Sequence, residues 1–298
     1  KVVSNAGGLN PQGCADAVQE IADRLGLNPS IAYVAGDDLA PRLTELIEAG
    51  NDFAHLDTGE SLGDLADRIV TANAYIGCWG IVEALNQGAD IVVTGRATDA
   101  AVVAGPAAWY HGWQRDNWDA LAGAIVAGHV IECGGQATGG NYSFFTEIED
   151  LTYPGFPWAD VYADGTSIIG KHDDTGGEVS IGTITSQLLY EIQSERYFNP
   201  DVVSRFDTIQ LEEVERDRVK ISGTRGEPAP KHLKVAMNYQ GGFRNQISIG
   251  LTGLDIEAKA ELIERQFWNS CPYEPEDYES VVRKYLPTHK QNPGTNEE

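Results

Sequence analysis

The chain has 298 residues, 42% hydrophobic and 9% aromatic, enough for two domains or one large α/β domain around a packed core. Its 45 acidic residues against 21 basic give a net charge of −24, which sets nucleic acid aside as a partner, because phosphate is repelled over most of such a surface. The longest apolar runs, around 100–110 and 121–131, fall short of a membrane span, and the opening KVVSNAGG lacks the regions of a signal peptide, so a cytoplasmic protein with no membrane partner is expected.

The acidity has two readings: a well-solvated surface, or adaptation to high salt, where screening relieves self-repulsion. The second is preferred here. Cys14, Cys78, Cys133 and Cys271 are widely spaced and contain no CxxC, which argues against a zinc knuckle and a disulfide framework. Buried small hydrophobes are their ordinary role; Cys133, beside a glycine-rich loop, is the one candidate for a reactive thiol.

Along the chain, a β-like run over 1–4 leads into a glycine turn, and Asn10-Pro11 reads as an N-cap followed by proline at the first helical position. Ala15, Val18, Ala22 and Leu25 form the stripe of that helix. A strand over 31–35 and a helix over 41–49 follow, then a long helical region over 61–87 interrupted by Gly77 and Gly80. A strand over 90–94 and another helix precede a helix whose face carries Trp118, Leu121, Ile125 and His129. Strands alternating with helices predict a doubly wound, mainly parallel α/β sheet for 1–152. At the turn-rich PGFPW the texture changes, and 153–298 is expected to be a smaller α+β part with antiparallel strands. Its expected elements are strands over 166–171, 208–214, 218–222, 232–237 and 246–250, helices over 178–192 and 255–268, and a frayed tail over 288–298. The chain opens inside what reads as a core strand, which leads to the expectation of a preceding segment.

In open α/β sheets, ligands gather beyond the carboxyl ends of strands. The first such loop, with Asn5, Gly7, Gly8 and Asn10, precedes a helix N-terminus and suits an anion, or is a tight turn. Asp37 and Asp38 follow the next strand, as a metal pair or as a helix cap and a solvated acid. In GRATD at 95–99, the planar fork of Arg96 suits a carboxylate or phosphate, and Asp99 orients it or caps the next helix. His129 and Glu132, three apart on a helix, have the chemistry of a general base and its orienting carboxylate, against the alternative of a core histidine. They run into a loop with Gly135, Gln136, Thr138 and Gly139, where glycines let backbone approach a ligand. In KHDDTGG, Lys171, Thr175, Gly176 and Gly177 could hold a phosphate or thioester carbonyl, or form a surface turn, while His172 with Asp37 and Asp38 is the metal-hydrolase alternative. No metal or other cofactor is assigned.

NAGGLNP, AGDDL, ANAYIGCWGI, DIVVTGRATD, AGHVIECGGQATGG and HDDTGGEVSIGTITSQLLYEI, in this order, resemble the acyclic terpene utilisation protein A (AtuA) family, as do the later RGEPAPKHLKV and LTGLDIEAKAELIERQFW. The similarity spans essentially the whole chain. The family usually carries an upstream glycine-rich segment, which is expected to precede Lys1, and one feature departs from it: the KHPGTGG loop has Asp173-Asp174 in place of Pro-Gly. The resemblance implies a part in breakdown of citronellol- and geraniol-type acids, whose intermediates travel as coenzyme A thioesters. It carries no assigned catalytic residues. An enzyme acting on an acyl-CoA or branched carboxylate by hydratase or lyase-type proton transfer is expected, with coenzyme A as part of the substrate. Its alternatives are a non-catalytic subunit of an acyl-CoA-processing complex, suggested by the aromatic stretch WYHGWQRDNW at 109–118, and the metal-dependent hydrolase. A homo-oligomer or a subunit of a larger assembly is expected.

Overall fold

The computed structural model describes residues 1–286. In chain order the elements are β1 (Val2–Ser4), α1 (Pro11–Arg24), β2 (Ile31–Val34), α2 (Leu43–Glu48), β3 (Ile69–Ala74), α3 (Trp79–Asn86), β4 (Ile91–Thr94), α4 (Ala101–His111) and α5 (Trp118–Ile131). There follow β5 (Pro157–Val161), β6 (Ser167–Lys171), α6 (Ile181–Leu189), β7 (Arg196–Phe198), β8 (Val203–Arg205), β9 (Gln210–Glu215), β10 (Arg218–Ser222), β11 (Arg225–Glu227), β12 (Val235–Tyr239) and α7 (Ile256–Ser270). The chain divides into two compact units, Lys1–Gln240 and Gly241–Glu298.

The expected mixture of helices and strands is present. Parallel pairing of strands is confined, among the described residues, to a three-stranded sheet in the order β1-β4-β2, with Ile91 opposite both Val2 and Ile31. The other sheets, β5-β6-β10-β9, β11-β8-β7 and β12-β3, are antiparallel, so the strands over 157–227 pair as expected of the second part, while the parallel sheet of the first part is limited to three strands. The largest departure is β3. IVTANA was expected inside a long helix, yet its β-branched start favours an extended chain, and β12, more than 160 residues later in the sequence, supplies the partner edge. The pattern over 246–250 alternates as a strand should but pairs with nothing among the described residues and is exposed. The expected tail over 288–298 lies outside the described residues.

Local signals account for the helix starts. The Asn10 side chain accepts the Gly13 N–H at 2.9 Å, with Pro11 opening α1. Ser180 and Thr183 form a reciprocal capping box on α6. Helix α5 is the centre of the first unit. Apart from His129 its sequence is small or apolar after Asp119, and every residue from Leu121 to Val130 is buried, so it presents no single stripe. One end packs with α3, α4 and β4, and the other with β6, β10 and α6. Helix α5 also contacts β5, β8 and β11, so elements on both sides of the boundary expected at 152/153 pack together inside Lys1–Gln240.

Candidate functional site

The strand ends of β2, β3 and β4 are tied by one buried carboxylate. Asp37 Oδ2 accepts the Asn73 side-chain amide at 3.0 Å and the Arg96 backbone N–H at 2.9 Å, while the Asp37 carbonyl accepts the Ala74 N–H. A Cβ on Gly95 would lie 2.4 Å from Asp37 Oδ1, so glycine is required for this approach. Asp38 accepts the Ala40 N–H at 3.0 Å, the local capping role open to it from the sequence. Asp37 is thus a structural clasp. No group of three or more His, Cys, Asp or Glu side chains among the described residues could hold a metal ion.

The clasp carries the 95–99 loop, and its two charged side chains diverge. The Arg96 guanidinium is exposed and lies 5.1 Å from the centroid of the Tyr75 ring. Asp99 faces the end of β1, where it accepts the Asn5 amide at 2.8 Å. The rest of the first loop serves the turn. Asn10 is engaged as a cap, Gly8 takes a left-handed φ of 52°, and a Cβ on Gly7 would meet the Thr94 carbonyl at 2.5 Å.

His129 is only 1% exposed. Its Nε2 lies 3.1 Å from the Gln187 carbonyl, which can only accept, so Nε2 carries the proton in this arrangement. Nδ1 then turns its lone pair toward Glu132 Oε1 at 3.5 Å and has no hydrogen-bond partner among the described residues. Tyr197 and Phe206 pack their rings around the imidazole at 5.4 and 5.8 Å. Burial, with the carboxylate of Glu132 next in effect, pushes the Tyr197 phenol up to about 12, so it stays a neutral donor at physiological pH. Burial also raises the Cys133 thiol, with the carboxylates of Glu132, Glu191 and Asp99 adding to the rise, and this disfavours a thiolate nucleophile.

Other buried polar atoms without a hydrogen-bond partner among the described residues are Gln187 Oε1, both amide atoms of Asn199, whose side chain sits beside the Tyr197 phenol, and, elsewhere, Gln136 Oε1, Thr98 Oγ1 and Ser167 Oγ. Each such group left dry costs about 1–3 kcal/mol. Those of Gln187 and Asn199, with His129 Nδ1, leave unspent hydrogen-bonding capacity around the imidazole.

The glycine-rich loop after α5 is largely a packing seam. Thr138 Oγ1 donates to the Gly155 carbonyl at 2.7 Å, a Cβ on Gly135 would meet Pro154, and one on Gly139 would strike Ile148. The Lys171–Gly177 loop closes on itself. Lys171 Nζ donates to the Thr175 carbonyl at 2.8 Å and lies 3.5 Å from Asp217, and Thr175 Oγ1 donates to the His172 carbonyl. The Gly176 and Gly177 N–H groups donate to the Tyr153 and Asp150 carbonyls. With these donors engaged, the loop presents no anion nest.

The structure pairs Asn5 with Asp99, and around His129 and Glu132 it gathers three further residues, Tyr197, Asn199 and Gln187. Sequence reasoning missed these three. In RYFNP, Tyr197 and Asn199 stand two apart at a strand end, the spacing that points side chains to one face, and this was the available signal. Surface depressions of about 360 and 380 Å³ are lined by Glu261, Glu264, Arg265, Trp268 and Asn269, and by Asp116–Ala120 with Asp164, and not by His129, Glu132 or Arg96.

Fold and site together describe a mixed α/β protein with a strand-end loop held by a buried carboxylate and, on α5, a buried histidine beside a glutamate. The chain belongs to the acyclic terpene utilisation family, AtuA, whose family model matches residues 1–298. No curated protein and no solved structure matches it. No helix among the described residues is long and apolar enough to cross a membrane.

Proposed function

We propose that this protein takes part in acyclic terpene utilisation as an enzyme that moves a proton on a branched carboxylic acid or its coenzyme A thioester, by hydratase or lyase-type chemistry. The family supports the substrate class. The observation that carries the chemistry is the His129–Glu132 contact, with Nε2 fixed as donor and Nδ1 turned to a carboxylate. The exposures reverse the roles expected from sequence: the Glu132 side chain is 15% exposed against 1% for His129. Glu132 is the member that exchanges a proton with substrate, and His129 is its buried proton partner. The neutral Tyr197 phenol is the donor to a developing enolate oxygen.

The test is deuterium incorporation or water addition on branched acids and their thioesters in D₂O, followed by mass spectrometry. Glu132→Gln is expected to lower turnover by about 10²–10⁴-fold with the fold retained, the range of general acid–base catalysis. Full turnover in a folded Glu132→Gln protein would end the assignment. A second reading, a subunit of an acyl-CoA-processing assembly, is favoured by α7, none of whose 15 residues is buried. Sedimentation at native concentration tests it: a complex of fixed stoichiometry supports it, and a lone monomer removes it.

A further inference from the structure

We infer that Arg96 and Lys234, held together on the ring of Tyr75, form a binding site for a phosphate or diphosphate group. The two cations come from distant parts of the sequence and reach one ring. Arg96 lies 5.1 Å and Lys234 Nζ 5.2 Å from the Tyr75 centroid. Among the described residues, other aromatic rings with a cation overhead carry one each: Tyr239, Trp79, Phe198 and Trp158.

The backbone enforces the arrangement. The Tyr75 N–H donates to the Lys234 carbonyl at 2.9 Å, tying the end of β3 to the start of β12. The next residue, Ile76, donates to the Arg96 carbonyl at 3.0 Å and accepts the Thr98 N–H at 3.1 Å, which ties the same segment to the loop after β4. Both side chains therefore spring from segments flanking Tyr75, and the Asp37 clasp fixes the Arg96 backbone from below.

The charges are also uncompensated. Neither Arg96 nor Lys234 forms an ion pair among the described residues, although the chain carries 45 acidic side chains. The ring quadrupole attracts each cation, but two like charges at one ring repel each other. An anion bridging them removes the repulsion and uses the Arg96 fork and the Lys234 ammonium as donors. A single carboxylate neutralises one of the cations, whereas a phosphoryl dianion or a diphosphate matches both. Arg96 also stands beyond the carboxyl end of a parallel strand, β4.

This deepens the reading above by giving the substrate an anionic handle, but its test reads binding alone. Inorganic pyrophosphate and inorganic phosphate are titrated calorimetrically into the full chain, in a salt concentration at which it is folded. The wild type is expected to bind at one site, and Arg96→Met and Lys234→Met to weaken binding about tenfold or more. Lys234→Arg should keep most of the affinity, which guards against loss through misfolding. Arg68→Met removes the cation over Tyr239 and should leave binding unchanged. Tighter pyrophosphate than phosphate assigns a diphosphate handle, and equal affinity a single phosphate. No binding by the wild type, or equal weakening in Arg68→Met and Lys234→Met, overturns the inference. Glu132→Gln should bind pyrophosphate as the wild type does, so the two readings fail separately.

Discussion

At the scale of single residues, the molecule distinguishes polar groups that are already engaged from those that are not. Asp37 is fully committed, and its replacement by Ala strands the Asn73 amide and the Arg96 N–H. A loss of about 3 kcal/mol is expected in urea unfolding, together with weaker anion binding because the Arg96 loop is released. Tyr197 offers a pH signature. Its phenol titrates near 10 when unfolded and is pushed up to about 12 in the fold, so the proton is held more tightly in the native state. The stability linked to it is complete below pH 10 and is lost as pH rises from there toward 12, about 2–3 kcal/mol in all. Tyr197→Phe should flatten that alkaline loss relative to the wild type; an unchanged alkaline limb would remove Tyr197 as its cause.

At the scale of elements, α5 decides what the first unit tolerates. A Cβ on Gly123 would fall 2.0 Å from the Gly165 carbonyl in the turn between β5 and β6, with backbone on both sides of the contact. Gly123→Ala is expected to cost about 3 kcal/mol, read from denaturant midpoints, because neither helix nor turn can give way cheaply. Gly112→Ala, at the left-handed C-cap of α4 with φ of 69° and open space around it, should cost only about 1 kcal/mol, from backbone strain alone. The contrast separates packing from conformation. Elements also show where sequence patterns mislead. The alternation over 246–250 matches β12 in kind, yet only β12 meets a partner edge, so period alone does not make a strand.

At the scale of the whole molecule, charge sets the conditions under which the rest holds. A net charge of −24 over 298 residues destabilises a compact state through self-repulsion unless salt screens it. Thermal unfolding is expected to shift upward between dilute buffer and molar potassium chloride; equal midpoints would remove the salt-adaptation reading. Within that field Arg96 and Lys234 carry no ion pair among the described residues and share one ring, and pyrophosphate is expected to bind there. Of the aromatic stretch at 109–118, Trp113 is internal, its Nε1 donating to the Ala163 carbonyl at 3.0 Å, while Tyr110 and Trp118 remain exposed.

Local chemistry was enough to read the Asn10 cap, β1, β2, β4 and β6, the position of α5, and the helical spacing of His129 and Glu132, because each rests on neighbours within a few residues of sequence. Tertiary structure decided what those residues face. It buried His129 against the Gln187 carbonyl, brought Tyr197 and Asn199 to the pair, and turned Asp37 from a candidate ligand into a clasp. It also closed the Lys171 loop on its own carbonyls and brought Lys234 and Arg96 to one ring. The physical reason is range: caps and periodicity act along the chain, whereas desolvation, ring contacts and the sharing of a carboxylate depend on segments that only folding brings together.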